Sequence, residues 1–101
     1  MYKNKIVVIT GATSGIGKAL AINLDEEGAN LVLSGSSLKK IKALKDKFSK
    51  RHLIIKADLT KKIDVKNLIV SAIKKFGYID ILVTSAGLYE PSDIETGDPD
   101  K

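Results

Sequence analysis

Ile6-Val7-Val8-Ile9-Thr10-Gly11-Ala12-Thr13-Ser14-Gly15-Ile16-Gly17 decides how this chain folds. Four apolar residues in a row make a strand buried on both faces. A glycine-rich turn follows, and Ile16, Leu20 and Leu24 then recur at helical spacing. Such a turn lets backbone N–H groups come close to a phosphate, and the helix N-terminus behind it favours negative charge. A nucleotide's pyrophosphate suits this arrangement. The glycines stand at 11, 15 and 17. Their spacing therefore differs from that of the commoner Gly-x-Gly-x-x-Gly dinucleotide turn.

Working outward, residues 5–10 read as the first strand and 15–27 as the first helix, with Gly28 fitted to cap it. Leu31-Val32-Leu33 centres the second strand. Leu38, Ile41, Leu44 and Phe48 form the apolar stripe of a helix over 38–49, and Ser37 is its expected N-cap. Leu53-Ile54-Ile55 is the third strand, opened by His52, which is expected at an exposed edge. Thr60 is the expected cap of a third helix whose stripe is Val65, Leu68, Ile69, Ala72, Ile73 and Phe76, with Gly77 as its stop. Ile79, Ile81, Leu82 and Val83 belong to a fourth strand, with Asp80 in a structural place at its entry. Residues 88–101 read as a polar loop or tail. The order β-α-β-α-β-α-β predicts an α/β fold, a doubly wound parallel sheet with helices on both faces and strand order 3-2-1-4. Ligands bind such sheets outside the carboxyl ends of the strands, where the chain reverses between strands one and four.

The whole chain of 101 residues is sized for one domain, and 44% hydrophobic residues suffice for a core. It lacks cysteine, so no oxidising compartment is required and the cytoplasm is expected. The first five residues lack the apolar stretch and cleavage site of a signal peptide, and no run is long enough to span a bilayer. The net charge of +5 comes from lysines on polar helix faces, without interleaved aromatics for stacking bases. Neither a nucleic-acid partner nor a membrane is expected, and no metal-ligand set is read.

With these residues in place the chain resembles the short-chain dehydrogenase/reductase family. The resemblance rests on Thr-Gly-x-x-x-Gly-Ile-Gly at 10–17, Asp58-Leu59 after the third strand, and Asp-Ile-Leu-Val-Thr-Ser-Ala-Gly at 80–87. It implies a Rossmann-type nucleotide-binding domain over 1–101, incomplete relative to the family. It also implies an oxidoreductase passing hydride between nicotinamide and a carbonyl or alcohol. The turn residues have physical roles. Gly11 permits the tight turn, Gly15 the approach to phosphate, and Gly17 close packing of the helix on the sheet. Thr13, Ser14 and Ile16 are expected to present hydroxyls or N–H groups to the cofactor. The resemblance puts Asp58 at the adenine amino group, with Leu59 beside the ring, and Ala86 and Gly87 near the nicotinamide ribose. A plain turn ahead of Thr60 is the alternative reading of Asp58.

Three departures qualify the resemblance. Thr84-Ser85 stands where the family usually has two asparagines, and a hydroxyl bridges a gap less well than an amide. The second strand ends in Ser34-Gly35-Ser36-Ser37. The acid that NAD-preferring members carry at the Gly35 position is absent, and so is the arginine that NADP-preferring members carry at Ser36. Ser36 and Ser37, with Lys39 or Lys40, suit a 2′-phosphate, so NADP is expected ahead of NAD. An aspartate at Gly35 is expected to turn that preference towards NAD. Lastly, none of Tyr2, Tyr78 and Tyr89 begins a Tyr-x-x-x-Lys, so no catalytic residue is assigned. The expectation is a cofactor-binding half, inactive alone, whose carbonyl or alcohol substrate belongs to a longer protein. The alternative is a non-catalytic nucleotide-binding or interaction module complete at 101 residues. Strand four, apolar and expected at an edge, predicts self-association.

Overall fold

In a computed structural model of the chain the elements are β1 (Ile6–Ile9), α1 (Gly15–Glu26), β2 (Asn30–Gly35), α2 (Leu38–Lys47), β3 (Leu53–Lys56), α3 (Lys62–Phe76), β4 (Ile81–Thr84) and β5 (Gly87–Tyr89). The structure describes residues 2–13, 15–84 and 87–89, the last three as a strand. The sheet order is β3-β2-β1-β4-β5. β1 lies between β2 and β4, parallel to both, and this central place is why all four of its side chains are buried. β2 pairs in parallel with β3, bringing Ser34 opposite Ile55 and Gly35 opposite Lys56.

Alternation along the strands divides the core into two layers. Val7, Ile9, Leu31 and Leu33 pack with Ala21 and Leu24 of α1 and Ile41 and Leu44 of α2. Val8 and Val32 point to the other face and meet Leu68 and Ala72 of α3. Helices therefore cover both faces, and uninterrupted apolar strands satisfy both layers at once. Where the chain crosses at the bottom of the sheet, Asp80 accepts the Ile6 N–H on Oδ2 at 2.8 Å and donates its own N–H to the Ile6 carbonyl at 2.9 Å. This is the structural place expected for it.

Gly28 (φ 87°) and Gly77 (φ 91°) stop α1 and α3 in the left-handed conformation, which glycine enters at little cost. Ser37 caps α2, its Oγ accepting the Lys40 N–H at 3.4 Å. Thr60 does not cap α3. Its N–H and hydroxyl both donate to Asp58 Oδ1, at 2.9 and 2.6 Å, so it closes a turn one step earlier. Lys61 holds the cap position without a side-chain bond.

His52 is not an exposed edge residue; it is buried at 5% exposure. Its Nδ1 accepts the Leu31 N–H at 3.0 Å, and its Nε2–H donates to Asp25 Oδ1 at 2.6 Å. The ring thus ties β2 to α1, and an imidazole with both nitrogens bonded is stable under cover.

At the other margin, β5 pairs antiparallel with β4, Thr84 opposite Gly87 and Val83 opposite Leu88. Leu88 and Tyr89 are therefore strand rather than loop, and β4 is not an edge. The two residues between β4 and β5 are too few for a parallel crossover, so the chain can only turn back on itself. Residues 90–101 of the expected tail lie outside the described residues. Among the described residues no helix is long and apolar enough to cross a membrane.

Candidate functional site

Three strand ends converge at the carboxyl side of the sheet. β1 ends at Ile9, and the N–H of the next residue, Thr10, donates to the Val83 carbonyl at 2.9 Å. The chain then turns through Gly11 (φ 67°) towards β2, where the Ala12 N–H donates to the Ser34 carbonyl at 2.9 Å. Gly15 (φ 61°) opens α1, and a β-carbon there would point into open space. A β-carbon on Gly17 would instead run into the Gly11 carbonyl. The expected close approach is therefore between the first helical turn and the glycine turn itself. α1 carries no acid in its first turn, so the positive end of its dipole is not answered from within the helix.

Beside this turn lies a cleft of about 240 Å³. It is lined by Gly11 and Thr13 of the turn, by Ser34, Gly35 and Ser36 at the end of β2, and by Ala57, Asp58 and Leu59 after β3. Leu59 is half-exposed and offers an apolar flank. The Ser34 hydroxyl is buried and, among the described residues, is a side-chain polar group without a hydrogen-bond partner. The residues present thus fit the phosphate and adenosine part of a dinucleotide. There is room at Gly15, a helix end without an acid of its own and an apolar flank at Leu59.

Asp58 is set by two partners. Its N–H donates to Asp64 Oδ2 at 2.8 Å, and its Oδ1 takes both Thr60 hydrogens. The Thr60 hydroxyl, then the Thr60 N–H, hold the Asp58 carboxyl below its ordinary range by stabilising the charged form. Asp64 escaped the sequence reading. The signal for it was an acid in the first turn of a helix, where it can reach back to free N–H groups.

Of the residues singled out by sequence, Gly11, Thr13, Ser36, Asp58 and Leu59 come together in this cleft. Ser37 stands next to it as the cap of α2. Ile16 is 88% exposed at the start of α1 and Gly17 packs against the turn. Gly87 lies beyond β4, in β5. Ser14 and Ala86 lie outside the described residues. Ser34 is the addition of the structure: its neighbours drew attention in the sequence, but its burial without a partner depends on what packs around it.

Comparison with known proteins agrees with this geometry. A family model described as short chain dehydrogenase matches residues 5–101. Glucose 1-dehydrogenase of Gluconobacter oxydans is 40% identical over 98 residues, covering 93% of this chain and 37% of that protein. An uncharacterized oxidoreductase of Staphylococcus saprophyticus is 41% identical over 100 residues, covering 98% of this chain and 41% of that protein. Among solved structures, a Brucella melitensis short-chain dehydrogenase/reductase (glucose/ribitol dehydrogenase) matches with a TM-score of 0.78 at 37% identity, covering 88% of this chain and 38% of that one. The 3-ketoacyl-(acyl-carrier-protein) reductase of the same organism, complexed with NADH, matches with a TM-score of 0.76 at 30% identity, covering 81% of this chain and 34% of that one. The chain thus spans about two fifths or less of the length of these relatives. With the glycine turn, the sheet order and a match from residue 5 to residue 101 in agreement, the chain belongs to the short-chain dehydrogenase family, a family of oxidoreductases.

Proposed function

We propose that residues 1–101 hold the pyrophosphate and adenosine end of a nicotinamide dinucleotide, NADP ahead of NAD. The rest of the reaction, hydride exchange with a carbonyl or alcohol, is carried by a longer protein. The observation that carries the reading is the cleft shared by the glycine turn and the ends of β2 and β3, beside the acid-free start of α1. The N–H groups and hydroxyls of Thr13, Ser14 and Ile16 take the phosphates, with Gly11, Gly15 and Gly17 leaving them room. Asp58 Oδ2, the oxygen not engaged with Thr60, meets the adenine amino group, and Leu59 flanks the ring. Ser36, with Ser37 and the first turn of α2, takes the 2′-phosphate; Lys39 and Lys40 add positive charge. Ala86 and Gly87 are assigned to the nicotinamide ribose by the family resemblance alone. The NADH held by the Brucella reductase supports a nicotinamide cofactor here.

When bound, the nicotinamide would give hydride to a carbonyl or take it from an alcohol; this chain's residues bind and orient it. None of the three tyrosines begins a Tyr-x-x-x-Lys, so the proposed share of these residues is binding rather than proton transfer. We place the protein in the cytoplasm on the same footing. Self-association through strand four belongs to this proposal only where β5 gives way, since β5 covers that edge.

Titration with NADPH and NADH, followed by nicotinamide fluorescence, tests the reading. Gly15→Asp is the sharpest variant. Aspartate tolerates the left-handed conformation better than most residues, and a carboxylate at a helix N-terminus favours the helix, so the fold is kept. The same charge faces the phosphates, and binding should fall by at least about tenfold. Unchanged affinity would remove the glycine turn from the site.

A further inference from the structure

We propose that Thr13 is a specificity-determining residue: it holds position 35 as glycine and so keeps an acidic side chain away from the ribose end of the cleft. The inference rests on the cleft's being the adenosine site. A β-carbon built on Gly35 would overlap Thr13 Cγ2, and would lie 3.2 Å from Thr13 Oγ1 and 3.4 Å from Thr13 Cβ. The backbone of Gly35 is outside the left-handed region, so any residue could adopt it. Glycine is needed there for space alone.

Neither partner is free to retreat. The Gly35 carbonyl accepts the Ala57 N–H at 2.9 Å, which holds the end of β2 against the chain after β3. The Ala12 N–H donates to the Ser34 carbonyl at 2.9 Å, which ties the glycine turn to the same strand. Rotation of Thr13 relieves only part of the clash: the staggered rotamer that turns its hydrogen towards position 35 still leaves a γ atom in the place now held by Oγ1, 3.2 Å away, and gives up the native rotamer. Cofactor choice is therefore written at two positions on different turns. An acid at 35 alone cannot reach a ribose diol without turning the Thr13 side chain out of its native place. With the acid excluded, no negative charge opposes a 2′-phosphate beside Ser36.

A double-mutant cycle tests this, with one readout that needs no cofactor. Gly35→Ala should lower the melting temperature by roughly 4–8 °C when Thr13 is present. In the Thr13→Ala background, where only Cβ remains at 3.4 Å, that loss should largely disappear. Equal losses in both backgrounds would overturn the steric lock. For specificity, Gly35→Asp alone should bind NADH no more tightly than the parent. Gly35→Asp with Thr13→Ala should raise the NADH-to-NADPH affinity ratio at least about tenfold over the single variant. The same ratio in both would refute a role for Thr13. If the melting cycle shows coupling but the parent binds neither nucleotide, the cofactor reading fails, and the specificity role with it, while the Thr13–Gly35 contact stands.

Discussion

His52 carries its stabilising role as a neutral ring. Its Nδ1 accepts from Leu31, so the single proton sits on Nε2 and is donated to Asp25. Burial pushes its pKa below the ordinary 6.5 and outweighs the opposing pull of Asp25, while Arg51 and Lys75 push in the same direction as burial. In the unfolded chain the ring gains a proton near its ordinary value, about 6.5. The folded chain resists protonation until lower pH. Between those two values the unfolded state binds more protons, so this contribution is complete above about pH 6.5 and is lost as pH falls through the folded value. Melting temperature measured from about pH 7.5 downward should therefore begin to drop near pH 6.5. His52→Asn keeps an acceptor for Leu31 but cannot titrate, and should flatten that slope; an unchanged slope would place the effect elsewhere. His52→Ala leaves the Leu31 N–H unpaired inside the protein and should cost about 1–3 kcal/mol.

Among the elements, the first turn of α1 shows two effects of opposite sign at Gly17. Alanine is a better helix former than glycine by roughly 0.5–1 kcal/mol. The added methyl would strike the Gly11 carbonyl, which is backbone and cannot rotate away, and overpacking of this kind costs about 1–3 kcal/mol. Sterics wins, so Gly17→Ala should lower the melting temperature; a rise would show that α1 can lift from the turn freely. Much of this element was legible in the sequence, since glycines at 11, 15 and 17 announce a close approach. What the helix approaches was not legible: the expectation was the sheet, and the contact is with the turn. The start of α3 was misread for a similar reason. Thr60 and Asp58 both favour turns and caps, and which one took the hydrogen bonds depended on Asp64 holding the Asp58 N–H.

For the molecule as a whole, the outermost strands of the sheet among the described residues are β3 and β5. β5 has three residues, and a short edge strand gives a partner chain little to pair with. The apolar β4 behind it is a different matter. Tyr89→Pro in the 101-residue chain fixes φ within β5 and removes the N–H of the residue opposite Leu82, a hydrogen-bonded pair in this antiparallel register. It should uncover β4 and raise the mass seen by light scattering across a concentration series. An unchanged mass would show that β4 does not drive association even when its edge is opened.

Local chemistry determined β1 to β4, the three helices and their order, while β5 was read as loop. Apolar runs, helical stripes and glycine stops each act within a few residues, and right-handed crossovers then leave a single sheet order for β1 to β4. The glycine turn was legible in the same way, and the family resemblance marked Thr13, Ser36, Asp58 and Leu59, which the fold gathers with Gly11 into one cleft. Tertiary structure alone decided the rest. The burial of His52 depends on Asp25 and Leu31, 27 and 21 residues away in the chain. The unanswered hydroxyl of Ser34 depends on the packing around β2. The Thr13–Gly35 contact exists only because the turn after β1 crosses the end of β2. Periodicity and propensity report on a residue's neighbours in the chain, whereas burial, an orphaned hydroxyl and a steric clash are properties of what distant segments bring to the same place.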